Sequence, residues 1–515
     1  MVDFSDKLYT AESVRELDRR AIEEHGIPGI VLMKRAGESA FRQMLSRWPD
    51  TRALTVYCGG GNNGGDGYII AGLAAQRGLR VRVIHLVAPE KLTGDATRAW
   101  RFARQESVPM RAFEGADHSP SEAWAEAAIS GGKPGSEQEV IVDALLGTGI
   151  RGDVREAYVR AIEAINQSGR PVLAVDIPSG LDSDTGAVRG IAVRADLTVT
   201  FIGMKVGLLT GRGPALCGVL SFQGLGVPNE VHEAMPVAAQ RLALSGLIRA
   251  HLPRRDRDAH KGKFGHVLVI GGDEGFGGAA AMAAEAALRV GAGLVGVATR
   301  SSHVSALLAR RPELMVKPIE SGQQLEPLLS APSVLVVGPG LGRSSWSEQV
   351  LQQAIKSGLP MVVDADALNL ISEGKLVRHL DARQWVLTPH PGEAARLLGR
   401  NNSEIQANRP QACRDIHERL GATVLLKGAG TLIVGPGGMS LCPYGNPGMA
   451  TGGMGDVLAG VIGGLLAQGI RAEPATQLGS CLHAAAADRV AEQRGERGML
   501  ATDLLEPLQH LVNGA

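Results

Sequence analysis

The chain reads as two tandem α/β domains, each built on a parallel, doubly wound sheet. Short apolar, β-branched runs alternate with helical patterns along most of the sequence, as in repeated βα units. Several runs end in Gly-rich or Pro-Gly loops, where sheets of this kind bind ligands. At 515 residues the chain exceeds one ordinary core, and the alternation breaks once, after Gly226.

Taken in order, Thr10 caps a first amphipathic helix on which Val14, Leu17 and Ala21 recur at helical spacing. A second helix is expected over Val31–Trp48. Strand, helix and strand follow at Ala53–Cys58, Tyr68–Arg77 and Val81–Val87, with further strands at Val140–Leu145 and Val172–Asp176. Val227–Gly262 carries prolines, charges and one short helical pattern at Leu242–Ile248. The boundaries drawn are a first domain over 1–226, a connector over 227–242 and a second domain over 243–515. Strands then resume at Val267–Ile270, Leu294–Thr299, Val334–Val337, Pro360–Asp364, Trp385–Thr388 and Thr423–Lys427.

Lys+Arg 53 balances Asp+Glu 53, so no global field draws the chain to nucleic acid or to a membrane. Gly 68 and only 3% aromatics suit helices packed closely on sheets. The five cysteines are scattered without a Cys-x-x-Cys pair, which indicates neither a disulfide framework nor a zinc site. No basic-then-apolar leader and no uncharged run of membrane-spanning length occur. The expectation is a cytoplasmic protein with small-molecule partners, and its Ala- and Gly-rich helices permit a homo-oligomer.

In the first domain, Gly59–Gly67 follows a strand and formally contains G-x-G-x-x-G. The acidic residue that a dinucleotide fingerprint wants about 20 positions on is missing, because His85-Leu86-Val87 stands there. Asn62, Asn63 and Asp66 instead offer amide and carboxylate contacts. Two further strand-end loops, Asp143–Asp153 and Asp176–Asp182, are placed to converge on this one. Asn63, Asp143 and Ser179 present oxygen atoms with a single carboxylate, a set better suited to a monovalent than a divalent cation. Turn or cap roles remain open for each residue alone.

These strings resemble the NAD(P)H-hydrate epimerase family. The resemblance implies a Rossmann-like fold that interconverts the R and S hydrates of NADH and NADPH. It implies that Asn62, Asn63, Gly64, Gly65 and Asp66, the loop Gly147, Thr148, Gly149, Ile150, Arg151, Gly152 and Asp153, and Tyr158 and Asp176 bind the hydrate. Potassium would be held by Asn63, Asp143 and Ser179. Asp176 is the expected acid/base group, since moving a hydroxyl on a carbon next to nitrogen calls for proton transfer rather than a nucleophile.

The second domain carries the most informative string, Asn446–Asp456, with four glycines ahead of an apolar helix-like stretch at Val457–Gly469. Such a loop lets unpaired helix amides and the positive dipole end face a phosphate. Asp456 there is placed to take a proton from a hydroxyl, although a Gly-rich turn with an acidic cap explains the bare pattern too. No Walker A loop occurs. Lys427 and Thr431 suit a nucleotide phosphate. His390, between two prolines, either bonds a polar substrate or is satisfied by backbone. Asp364 and Asp366 either bind Mg2+ or cap the next helix, and the sequence leaves both open.

Together with Gly338–Gly342 and Thr388–Glu393, these motifs resemble the ribokinase-like NAD(P)H-hydrate dehydratase family. The resemblance implies a ribokinase-like α/β sandwich that uses ADP or ATP with Mg2+ to dehydrate the S hydrate. Nucleotide would be held by Lys427, Gly428, Ala429, Gly430, Thr431 and Gly455, the hydrate by Ala279, Gly342 and His390, and Asp456 would be the catalytic base. Two other readings compete: a ribokinase-class small-molecule kinase, and a non-catalytic nucleotide-binding role for the first domain.

Overall fold

The computed structural model describes residues 6–114, 138–374 and 382–514. The chain divides into two compact units, Met1–Ala239 and Gln240–Ala515. Both are α/β. Within the stretch expected as a connector, Val227, Val231 and Met235 are buried in the core of the first unit, and Leu242 in that of the second.

In the first unit a seven-stranded parallel sheet runs in the order Met110–Ala112, Arg80–His85, Ala53–Cys58, Glu139–Ala144, Val172–Val175, Leu197–Phe201, Val219–Gln223. The central strands are buried along their whole length and mostly apolar, as in a sheet covered on both sides. Sequence order reverses between Ala53–Cys58 and Glu139–Ala144, and a crevice opens beyond strand ends at such a switch point. Thr10 caps helix Ala11–Glu23, its side chain accepting from the Ser13 amide at 3.2 Å, as expected. Lys7–Tyr9 pairs with Met204–Lys205, which fixes the turn after Leu197–Phe201 beneath that helix.

One element differs usefully from expectation. The helix predicted from Tyr68 begins at Asn62 and runs to Gln76, so the Gly-rich string forms its first turns. A Cβ on Gly64 would lie 2.1 Å from the Gly59 carbonyl oxygen, and one on Gly65 would lie 2.6 Å from the Met33 side chain. Close packing therefore overrides the poor helix propensity of glycine.

The second unit holds strands in the order Met315–Pro318, Leu294–Thr299, His266–Ile270, Val334–Val337, Met361–Val363, Trp385–Leu387, Thr423–Leu426, all parallel, extended by the antiparallel pair Thr431–Gly435 and Gly438–Cys442. Its switch point lies between His266–Ile270 and Val334–Val337. Helices Gly277–Arg289 and Met454–Ala467 pack so closely that a Cβ on Gly460 would lie 2.0 Å from the Ala283 carbonyl oxygen. Among the described residues, no helix is long and apolar enough to cross a membrane.

Candidate active sites

At the switch point of the first unit lies a cavity of about 580 Å3. Its walls come from Asn62, Asn63 and Asp66, from the loop Gly147, Thr148, Gly149 and Ile150, and from Tyr158 and Asp176. Asp143, at the end of its strand, is fully buried. It accepts from the Ser179 hydroxyl at 2.6 Å, the Ser179 amide at 2.8 Å and the Leu145 amide at 3.2 Å. Burial pushes its carboxyl up to about 6, against the pull of those bonds. Asn63 is buried nearby with neither end of its amide hydrogen-bonded. An unpaired buried amide is costly unless something else meets it.

Asp176 has a left-handed backbone (φ 66°), uncommon for a residue with a side chain. Its Oδ1 accepts from Thr200 Oγ1 and the Phe201 amide, each at 3.2 Å, and from the Lys205 ammonium. Lys205 is completely buried and also donates to Thr200 Oγ1 at 2.9 Å and the Phe201 carbonyl at 3.2 Å. Asp66 faces the same cavity, and burial raises its carboxyl well above the usual range, helped by the charges of Asp176 and Asp18. Two carboxyls and a buried ammonium are thus gathered in one cavity from three separate elements.

In the second unit Asp456 occupies the first turn of helix Met454–Ala467, where the amides have no helical partners. Burial, then the negative charge of Asp364, raises its carboxyl to about 7, with Lys427 opposing. Such a group can accept a proton near neutrality. Lys427, at the end of strand Thr423–Leu426, donates to Asp364 Oδ1 at 2.7 Å and stands 3.8 Å from Glu393. Both partners sit tight against the glycine loop: a Cβ on Gly455 would lie 3.2 Å from Lys427 Nζ and 3.3 Å from Asp364 Oδ2. Asp364 also accepts from Thr388 Oγ1 at 2.8 Å and makes no cap bond to the helix after it. Asp366 instead accepts from the Gly342 amide at 3.0 Å, so neither aspartate serves as the side-chain cap weighed from sequence. His390 caps helix Pro391–Leu398 through Nδ1, which accepts from the Gly392 amide at 3.0 Å. Its Nε2 lies 3.3 Å from Glu393, and the side chain is half exposed rather than buried.

Two family models match the chain: YjeF-related protein N-terminus over residues 29–207 and NAD(P)H-hydrate dehydratase over residues 267–510. A bifunctional NAD(P)H-hydrate repair enzyme of Coxiella burnetii is 48% identical over 507 residues, 98% of this chain and 99% of that one. One of Escherichia coli is 42% identical over 99% of this chain and 95% of its own length. The chain belongs to the bifunctional NAD(P)H-hydrate repair enzymes. Among solved structures, a ribokinase-like superfamily protein of Enterococcus faecalis is similar to the dehydratase half. It covers 54% of this chain and 96% of its own, with a TM-score of 0.50 and 32% identity.

Within this repair-enzyme framework most expected residues meet at the two switch points. Gly64 and Gly65 do not line the epimerase-side cavity, because they turn towards packed backbone and Met33. Arg151 lines a smaller neighbouring cavity of about 190 Å3, while Gly152 and Asp153 line neither. On the dehydratase side Ala279 abuts Gly340, whose added Cβ would lie 3.0 Å from that of Ala279, beside Gly342. Thr431 Oγ1 donates to the Gly428 carbonyl at 3.0 Å, closing the Lys427–Thr431 turn. Sequence reasoning missed Lys205, Asp18, Glu393 and Arg409. Glu393 stands in a quoted string without a role. Arg409 is buried and donates to the Leu426 and Lys427 carbonyls, gripping the backbone where the Lys427–Thr431 turn begins. Only the tertiary placement of Lys205 and Asp18 distinguishes them from ordinary surface charges.

Proposed function

We infer that this chain repairs hydrated NADH and NADPH. The first unit interconverts the R and S hydrates, and the second dehydrates the S hydrate to the reduced nucleotide. ADP or ATP is consumed, with AMP or ADP and phosphate released. The single observation that carries the dehydratase reading is Asp456 at a glycine-lined helix start, with Lys427 and Asp364 against the same glycine. Asp456 takes the proton of the hydrate hydroxyl, and that oxygen then receives the terminal phosphoryl group. Phosphate leaves the carbon with its bonding pair far more easily than hydroxide would, and the neighbouring ring carbon then loses a proton to water, which restores the ring double bond. Lys427 and the amides of Gly453, Met454 and Gly455 meet the charge on the transferred group. Ala279, Gly342 and His390 hold the hydrate, and the turn Lys427, Gly428, Ala429, Gly430 and Thr431 holds the nucleotide. Mg2+, where bound, neutralises phosphate charge; Asp364 Oδ2 is free of the bonds that Oδ1 makes to Lys427 and Thr388.

In the epimerase half, Asp176 exchanges the proton that lets the hydroxyl depart and return, with the Lys205 ammonium bonded to it. Potassium fits the oxygens of Asn63, Asp143 and Ser179, and the unpartnered Asn63 amide supports that assignment. Bound there, a potassium ion would supply positive charge next to the Asp143 carboxylate and the strand-end loops. The cysteines resolved in the fold are all free and buried, in keeping with a reducing compartment, the cytoplasm.

The test is recovery of the reduced-nicotinamide absorbance from mixed R and S hydrates with ADP or ATP and Mg2+. Full recovery is expected from the wild type. Asp176→Ala should stop at the S fraction plus slow spontaneous epimerisation, and Asp456→Ala should give none. Absence of recovery with either nucleotide overturns the reading and leaves a ribokinase-class small-molecule kinase.

A further inference from the structure

The epimerase cavity contains a carboxyl that lies outside the segment matched by its family model. Asp18 sits on helix Ala11–Glu23, whereas that match begins at residue 29. Val14, Arg15, Asp18 and Ile22, one stripe of the helix, line the cavity. Val14 and Leu17 pack on the turn after Leu197–Phe201, each 3.1–3.2 Å from where a Cβ on Gly203 would stand. That turn leads directly to Lys205. The helix therefore places its carboxyl in the cavity that Lys205 and Asp176 also line.

We propose that Asp18 is the second proton-transfer group of the epimerase site, working with the Asp176–Lys205 pair. The inference rests on the repair reading above. An sp3 carbon that loses its hydroxyl and regains it inverted needs one group to give a proton and another to take one. In the forward step the proton that the Lys205 ammonium shares with Asp176 passes to the hydroxyl oxygen. The carbon–oxygen bond breaks with its electron pair going to oxygen, water departs, and the ring nitrogen lone pair forms the carbon–nitrogen double bond. Water then adds to the other face, returning that pair to nitrogen, and Asp18 takes the proton the water loses. Asp18 gives the proton back to the Asp176–Lys205 pair for the next turnover. The reverse reaction uses the same groups with their roles exchanged.

The charged groups that line the cavity with Asp18 are Asp176 after strand Val172–Val175, Lys205 on strand Met204–Lys205, Asp66 on helix Asn62–Gln76, Asp95 on helix Gly94–Gln105 and Arg15 on its own helix. Burial raises Asp18 to about 6, Lys205 lowers it and Asp176 raises it. Burial, then the charges of Asp176 and Asp18, raises Asp66 well above the usual carboxylate range. Asp18 is then a carboxylate at neutral pH, ready to accept, yet close enough to its titration range to give the proton back.

The experiment follows R-to-S interconversion at several pH values for wild type, Asp18→Asn and Asp18→Ala in the full chain. Dehydration of pure S hydrate and the melting temperature are measured on the same samples. Wild-type interconversion should rise with pH through about 6 to a plateau. In Asp18→Asn, kcat should fall about 100-fold or more, the usual scale for losing a positioned acid or base, with little change in KM, and the rise near pH 6 should disappear. Asp18→Ala should behave alike. An Asp18→Asn variant with an unchanged melt that keeps its rate within about threefold, or keeps the limb near pH 6, overturns the proposal. A wild type that dehydrates S hydrate but never interconverts the epimers overturns the epimerase reading instead.

Discussion

Replacing Asp456 with asparagine should inactivate the dehydratase while making its domain more stable. The carboxyl stands at about 7 in the folded chain, against about 3.9 for an exposed aspartate. Folding therefore disfavours its charged form. A raised carboxyl loses stability as pH climbs from the unfolded value to the folded one, and the loss is complete above the latter. The gap of about three pKa units corresponds to at most about 4 kcal/mol above pH 7, shrinking to about 1.5 kcal/mol at pH 5 and vanishing below about 4. Asparagine preserves the shape and removes the charge, along with its repulsion by Asp364. Thermal unfolding of wild type and Asp456→Asn at pH 5 and pH 8 measures this. The variant should melt several degrees higher at pH 8, at about 2–4 °C per kcal/mol for a domain of this size, with a smaller gap at pH 5. The same titration predicts that wild-type dehydration rises roughly tenfold between pH 6 and pH 8, because Asp456 acts as the carboxylate. A variant that melts lower than wild type at pH 8, or by an offset independent of pH, would refute the account of Asp456 as a base held at an electrostatic cost.

Other expectations are simpler. Lys205→Met should abolish epimerisation and destabilise the first unit by about 3–5 kcal/mol, the cost of breaking a buried ion pair, read by chemical denaturation; an unaffected midpoint argues against a structural pair. Gly64→Ala should leave little soluble protein, because its Cβ would collide with the Gly59 carbonyl at 2.1 Å, whereas alanine at exposed Gly78, φ 78° with open space around it, should cost only about 1 kcal/mol of backbone strain. Exchanging potassium for lithium should lower the melting temperature of the first unit in wild type but not in Asn63→Leu, and equal responses would dismiss the proposed ion site. Lys427→Met should raise the KM for ADP or ATP more than it changes the KM for the S hydrate.

The sequence by itself determined the fold class, most strands, and which loops gather at the two strand-end crevices. Parallel strands covered on both faces must be short, apolar and β-branched, and glycines must stand where helix starts meet strand ends, so Ala53–Cys58, Leu294–Thr299 and Val334–Val337 stand out locally. Strands rich in threonine or lying at edges, such as Leu197–Phe201 and Met315–Pro318, carried too little local signal. The tertiary structure alone decided the early start of helix Asn62–Gln76, because contacts with Gly59 and Met33, remote from its propensity, hold those glycines in place. It alone united Lys205, Asp18 and Asp176, which lie on elements far apart in the chain. Burial raises Asp18, with Lys205 lowering and Asp176 raising it, and those effects depend on distances through space that no local pattern encodes.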